Sequence, residues 1–310
     1  MMRLPWFAFR SPASIGEAAR ILAAEGPQAM LIAGGTDLLP NMKRRHQTPS
    51  ALVSLARIEA LKKVTNGSET TLGAGLTLNQ IVADPAVREK YAGLYQAAAQ
   101  VATVHLRNMG TLGGNLCLDT RCNYYNQNYE WRKAIDFCLK KDGQICWVAT
   151  ASKRCVAIAD LYRNDGIDYL ARRPDEILTE VKLPSPEGWK SSYWKLRRRG
   201  AFDFPVLGVA AAVKMAPDGT VEEARIALGA VSSRPLLTKA GELLVGRKLS
   251  GEAIAEVAKK VASVAKPMDN TDLDLYWRKG VVPEFVAYAL REIRGDNMSA
   301  TRLRITRHTL

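Results

Sequence analysis

Four of the five cysteines, Cys122, Cys138, Cys146 and Cys155, fall in one stretch, with 15, 7 and 8 residues between them. Around them, from about residue 116 to 156, the chain is rich in Tyr, Trp, Asn and Lys and sustains neither a helical nor a strand period. A segment this long without a core of its own needs something else to organise it, and clustered thiols point to a metal. The stretch begins directly after Gly110-Thr111-Leu112-Gly113-Gly114-Asn115, a glycine-rich run. Zinc sites usually pair their cysteines at Cys-x2–4-Cys spacing, which is absent here. Wide, uneven spacing suits the larger body of a cubane iron–sulfur cluster. Spacing alone leaves iron–sulfur, zinc and no metal all open. Cys117, flanked by apolar Leu116 and Leu118, reads as a packing residue outside the set.

The sequence has 310 residues, enough for two or three units with separate cores. No apolar run approaches the roughly 18 residues that cross a bilayer. Residues 1–14 hold two prolines and lack the apolar centre of a secretory signal. A reducing, cytoplasmic setting is the expectation, where clustered cysteines bind metal or do redox work more often than they form disulfides. The net charge of +13 raises the question of nucleic acid. The basic residues are dispersed, with short runs at 43–45, 197–199 and 302–308, and no nucleic-acid module accompanies them. They read as solvated faces and contacts with an acidic partner.

The first part of the chain alternates helix and strand signals. Ser14 and Glu17 have capping-box spacing and open a helix that should stop at Gly26-Pro27. Ala29 to Ala33 suits a short buried strand, Val53 to Leu55 and Thr71 to Ala74 further strands. Thr77 and Gln80 form a second capping box, and Leu94 to Val104 reads as one helix. Beyond Asp175 strands return at 177–183 and 192–198. A hairpin follows, from Val206 to Met215 and from Val221 to Val231 across Pro217-Asp218-Gly219-Thr220. Helices are expected at about 251–265 and from Pro283 to Gly295, then a frayed basic tail.

Two loops carry the chemistry. In Leu31-Ile32-Ala33-Gly34-Gly35-Thr36-Asp37-Leu38 a strand ends in paired glycines, so backbone N–H groups can approach a phosphate with no Cβ in the way. Thr111-Leu112-Gly113-Gly114-Asn115 repeats the pattern. The pair either clasps a pyrophosphate from two sides or marks two unrelated turns. His46, His105 and His308 form no triad or metal spacing and read as packing or surface residues. No nucleophile–base pattern is present, so no catalytic residue is expected.

Ala33 to Leu39 and Thr111 to Asn115 resemble the two FAD loops of the flavin subunit of molybdenum hydroxylases, a family that includes xanthine dehydrogenase and carbon monoxide dehydrogenase. Asn115 to Cys122, with Tyr125-Asn126-Gln127 and the later cysteines, is similar to the cluster-binding insertion of the 4-hydroxybenzoyl-CoA reductase β subunit. The implied fold is α+β: a two-part FAD-binding domain of the PCMH type over 1–185 with an iron–sulfur insertion at about 116–156. A small α+β C-terminal domain of the CO dehydrogenase flavoprotein type over 190–295 and a basic tail over 296–310 complete it. The resemblance assigns Leu31, Ile32, Ala33, Gly34, Gly35, Thr36, Asp37 and Leu38 to the FAD pyrophosphate. It assigns Thr111, Gly113, Gly114 and Asn115 to the pyrophosphate and isoalloxazine end. Leu178, within Pro174-Asp175-Glu176-Ile177-Leu178, and Lys195, within Tyr193-Trp194-Lys195, match further flavin contacts. Cys122, Cys138, Cys146 and Cys155 match the ligands of a [4Fe-4S] cluster, leaving Cys117 out. The implied partners are a molybdenum-cofactor subunit and a [2Fe-2S] subunit in a dimer of heterotrimers, with a donor such as ferredoxin. In one place the family pattern is broken: Cys155 runs almost directly into Ala159-Asp160-Leu161-Tyr162. A helix, a strand hairpin and a flavin-contacting aspartate are missing there, so part of the second subdomain's sheet should be missing or rebuilt.

Overall fold

The computed structural model describes residues 3–67, 69–119, 122, 125–138, 140–144, 161–163, 165, 167–172, 176–199, 203–268 and 273–307. They belong to two compact units. The first takes 1–80, 104–150 and 167–185, and the second takes 81–103, 151–166 and 186–310.

The first unit holds two small sheets. Strands β1 (Ala8–Arg10), β2 (Ala29–Ile32) and β3 (Ala51–Ser54) form a parallel sheet in the order β1-β3-β2. Helix Ile15–Glu25 crosses between β1 and β2 and buries Ala18 and Leu22 against Val53, Ile58 and Leu61. Its capping expectation holds: Glu17 N–H donates to Ser14 Oγ at 3.2 Å, while Glu17 Oε2 accepts from Ala13 N–H at 2.8 Å. β3 is buried at all four residues, whereas β2, read from sequence as a buried strand, is half-buried throughout. The reason is topological, since β2 is an edge and β3 has neighbours on both sides. Strands β4 (Val64–Asn66), β5 (Thr70–Gly73) and β6 (Glu180–Leu183) form an antiparallel sheet in that order. β6 thus closes a sheet begun more than a hundred residues earlier, and the cysteine stretch is an excursion between its strands.

The second unit is a four-stranded antiparallel sheet, β10-β9-β8-β7, covered by helices. β7 is Trp189–Leu196, β8 Leu207–Met215, β9 Val221–Gly229 and β10 Leu236–Thr238. The β8–β9 turn is the anticipated one: Gly219 takes φ +84° and Thr220 N–H donates to Asp218 Oδ1 at 2.9 Å. Helices Gly251–Val264 and Val282–Arg294 pack Val257, Val261, Phe285 and Leu290 into the core, and Gly295 ends the second helix at φ +111°. Arg278 is buried and donates to the carbonyls of Met268, at 2.9 Å, and Ala230.

Two sequence expectations are corrected, and one helix was not anticipated. The single helix over 94–104 is two, Ala92–Ala99 and Val104–Arg107, separated where Ala102 takes φ +48°. Helix Pro85–Lys90 was missed although Asp84 caps it through Val87 N–H at 2.9 Å. The supposed frayed tail is helix Ser299–Arg307, held because Arg302 bonds Glu292 Oε1 at 2.7 Å and lies 4.1 Å from the Trp194 ring centroid. Among the described residues no helix is long and apolar enough to cross a membrane.

Candidate functional site: two glycine loops and a cysteine insertion

The two glycine loops, 70 residues and more apart in sequence, lie against each other. A Cβ at Gly34 would fall 1.9 Å from the Met109 carbonyl oxygen, and one at Gly110 would sit 3.5 Å from Thr36 Oγ1. Only glycine at 34 permits that approach, and φ +68° at Gly35 turns the chain into helix Leu38–Lys43. Inside the first loop three consecutive backbone donors remain open. Among the described residues, no hydrogen bond within the chain engages the N–H of Gly34, Gly35 or Thr36. Consecutive unengaged amides at a turn form an anion-binding concavity. The following helix has six residues, so its dipole adds little to what the amides supply.

The second loop does not repeat this chemistry. Gly113 N–H donates to Ala74 O at 2.7 Å, Gly114 N–H to Thr111 Oγ1 at 3.1 Å and Asn115 N–H to Thr111 O at 2.9 Å. Its amides are spent on building helix Leu112–Leu116, which Thr111 caps. What it offers is a surface: Gly114 and Asn115 are exposed while Thr111 and Leu112 are buried. The loop is pinned through Leu112 N–H to Leu76 O at 2.8 Å and Leu78 N–H to Gly110 O at 2.9 Å. Ala74 in turn donates to Thr179 O at 2.8 Å, so the segment carrying Leu178 meets the second loop through one shared residue. The first unit therefore gathers Leu31–Leu38, Thr111–Asn115 and Leu178.

Lys195 lies in the second unit, buried on β7, where its Nζ donates to Gln100 O at 2.8 Å. Burial, and then the Arg197 charge, push it down from 10.5 to about 8. Because the folded chain holds this proton less tightly than the unfolded chain, folding grows more favourable as pH rises from about 8 to 10.5. Thermal unfolding of wild type and Lys195→Met across pH 7–10.5 should show wild type gaining on the variant over that window. A constant difference would contradict the assignment.

The cysteine insertion is described in part. Cys146 and Cys155 lie outside the described residues, as do residues 156–160. Cys138 is buried and Cys122 half-buried. Among the described residues no three His, Cys, Asp or Glu side chains are grouped to hold a metal. Cys117 ends the helix after the second loop, and burial pushes its thiol up, so it stays protonated as a packing residue would. The stretch is not structureless: helix Tyr129–Ala134 starts at Asn128, whose Oδ1 accepts from Trp131 N–H at 2.9 Å. Lys140 Nζ pairs with Asp119 at 2.6 Å and stands 5.0 Å from the Tyr125 ring centroid, stapling the two ends of the described part.

His46, read from sequence as surface or packing, is a tether for this insertion. It is buried, stacks on Tyr125 at 4.8 Å and bonds Gln127 O through Nε2 at 2.7 Å. Burial lowers its pKa, with Arg132 and Arg44 adding to the effect, so the ring is neutral at pH 7. No local pattern around His46 could have revealed a partner 81 residues away.

Residues 5–186 match the family model described as the FAD-binding domain in molybdopterin dehydrogenase, and 191–293 match the CO dehydrogenase flavoprotein C-terminal domain. The chain belongs to the FAD-binding medium-subunit family of the molybdenum hydroxylases. It is 29% identical to the nicotine 6-hydroxylase medium subunit of Paenarthrobacter nicotinovorans over 94% of this chain and 98% of that one. It is also 29% identical to the nicotinate dehydrogenase FAD-subunit of Eubacterium barkeri, over 80% and 82%. Among solved structures, carbon monoxide dehydrogenase from Hydrogenophaga pseudoflava matches with a TM-score of 0.77 at 27% identity, covering 94% of this chain and 98% of that one. Membership establishes the two-domain α+β fold and an FAD-binding domain. These relatives are named as hydroxylases and dehydrogenases, none as an acyl-CoA reductase.

Proposed function

We propose that this chain is the electron-transfer subunit of a molybdenum-containing aromatic acyl-CoA reductase of the 4-hydroxybenzoyl-CoA type, holding FAD and a [4Fe-4S] cluster. The observation that carries the reading is the cysteine insertion, closed by Asp119 and Lys140 between the second glycine loop and β6 of an FAD-binding domain. Two further features support it: the open amides of the first loop, which suit a pyrophosphate, and the buried thiol of Cys138, which suits a metal.

In this assignment Leu31 to Leu38 hold the pyrophosphate. Thr111 and Gly113 to Asn115 line the pyrophosphate and isoalloxazine end, with Leu178 and Lys195 as further flavin contacts. Cys122, Cys138, Cys146 and Cys155 ligate the cluster. A flavin exchanges electrons singly or in pairs and a cluster only singly, so together they convert between the two regimes. The residues of this chain bind and orient these groups and keep water from them, and none is assigned a catalytic role. Its partners are a molybdenum-cofactor subunit and a [2Fe-2S] subunit, in a dimer of heterotrimers supplied by a donor such as ferredoxin, in the cytoplasm. The reaction served is reductive removal of a phenolic hydroxyl.

The names of the relatives favour a second reading, the flavin subunit of an ordinary molybdenum hydroxylase or dehydrogenase. A zinc-stabilised scaffold without catalysis is the third. Anaerobic purification followed by iron, acid-labile sulfide, zinc and flavin assays separates the three. The proposal expects four irons and four sulfides per flavin, and Cys138→Ser losing most of the iron while keeping flavin. Flavin without iron would select the second reading, and zinc without flavin the third.

A further inference from the structure

The second unit carries a cavity of about 290 Å³ that neither the flavin nor the cluster assignment uses. Helix Val282–Arg294 supplies one wall, with Glu284, Phe285 and Tyr288 spaced by three and four residues and so on one face. Tyr288 is fixed between two rings, Phe285 at 5.5 Å and Trp194 at 5.2 Å between centroids. Trp277, on helix Leu275–Gly280, lines the same space and keeps 39% of its surface in water. Leu196 reaches the cavity from the core side of β7. Lys195, the residue assigned to flavin, alternates to the strand's other face and bonds Gln100 O. The cavity is therefore separate from that contact.

Charge at the cavity is unbalanced. Its lining holds two cations, Arg197 and Arg304, and one anion, Glu284. The nearby Arg199 and Arg302 are paired with Asp203 and Glu292. Among the described residues no carboxylate lies within ion-pair distance of Arg197 or Arg304. The Tyr288 hydroxyl donates to Glu284 Oε2 at 3.4 Å and accepts from Arg304, which holds one guanidinium at the aromatic wall. A guanidinium carries five N–H donors, so most of those on Arg304 remain for a ligand. The lining thus has one positive charge in excess, and rings beside it to stack on a flat molecule.

We propose that this cavity binds an aromatic monocarboxylate of one or two rings, with Arg304 and Arg197 holding the carboxylate and Trp277 and Tyr288 flanking the ring. The volume is near the lower end of ligand pockets, about 300–1,000 Å³, which limits the ligand to this size. Carboxylate is the anion whose two oxygens match the guanidinium fork. The inference is independent of the [4Fe-4S] reading, since every residue it uses lies outside the cysteine insertion.

The test is calorimetric titration of the full chain, saturated with FAD, with 2-naphthoate and with its neutral analogue 2-naphthamide. For a ligand this small we expect a Kd on the order of 0.1–1 mM for the acid. The amide should bind about tenfold more weakly, as should the acid to Arg304→Met, since each loses a charge-assisted hydrogen bond. Arg304→Met should bind the amide as wild type does, which separates lost charge from a damaged fold. Trp277→Leu should weaken acid and amide alike. No saturable binding of naphthoate up to about ten times the expected Kd overturns the proposal. So does an acid affinity unchanged in Arg304→Met, or an amide that binds as tightly as the acid. Naphthoate that displaces FAD would place the ligand in the flavin site and overturn it too.

Discussion

Gly34→Ala should yield a chain that purifies without flavin and unfolds at a markedly lower temperature. The added methyl would sit 1.9 Å from a backbone carbonyl, that of Met109, and not against the end of a side chain that can swing away. Relief requires the two loops to separate. Overpacking of this kind costs about 1–3 kcal/mol, and a backbone clash belongs at the upper end. On the proposed flavin assignment, separation also moves the open amides of Gly34, Gly35 and Thr36 out of register with the second loop, so the stabilisation contributed by bound FAD is lost as well. Flavin absorbance per chain and Tm with and without added FAD measure the two losses. Gly16→Ala is the control, because nothing lies within 4 Å of the Cβ it would introduce. A Gly34→Ala chain with full flavin and wild-type Tm would show that the loop contact is not needed.

Removing the chain after Asp296 should destabilise the second unit by on the order of 4 kcal/mol. Part of this is apolar: Met298 is buried in the core and Ile305 packs against it. The rest centres on Glu292, which accepts from Arg302 Nε at 2.7 Å, from Trp194 Nε1 at 3.1 Å and from Ser192 Oγ. Truncation removes the cation and leaves a half-buried carboxylate with two neutral donors. Arg302 also donates to Tyr193 O at 3.2 Å, so one side chain ties the last helix to β7. Arg302→Met alone should reproduce roughly half the loss in urea unfolding. The interaction carries a pH signature. Burial on its own would raise the Glu292 carboxyl, but the bonds from Arg302, Ser192 and Trp194 outweigh it and hold the group below 4.5. The stabilisation is therefore complete above pH 4.5 and fades as pH falls through the lower folded value. Wild type should lose its advantage over Glu292→Gln in that acid range, and a truncated chain with wild-type stability would return residues 297–307 to the status of a tail.

Local chemistry was legible wherever a few adjacent residues decide the outcome. Ser14 with Glu17 and Thr77 with Gln80 announced two helix starts, and Pro217 to Thr220 announced a hairpin turn. Errors fell where distant partners decide. The basic residues of 302–307 read as solvated because their anion, Glu292, and their aromatic platform, Trp194, belong to elements that sequence does not place beside them. β2 read as buried because its apolar run is indistinguishable from that of a central strand until the strand order is known. His46 and Arg132 carried no signal at all, since a lone histidine and a charged residue on a short helix are ordinary surface features until burial is seen.

By itself the sequence determined the inventory: two glycine loops, a cysteine-rich excursion between them and the last strand of the first unit, and a hairpin-and-helix domain behind. These depend on residue type and spacing, which are local properties. Tertiary structure decided how the inventory is used. It placed Gly34 against Met109, left the first loop's amides open while spending those of the second, and buried His46 and Arg132 in the cysteine insertion. Each of these turns on which groups lose water and which find partners, and only the folded chain sets that.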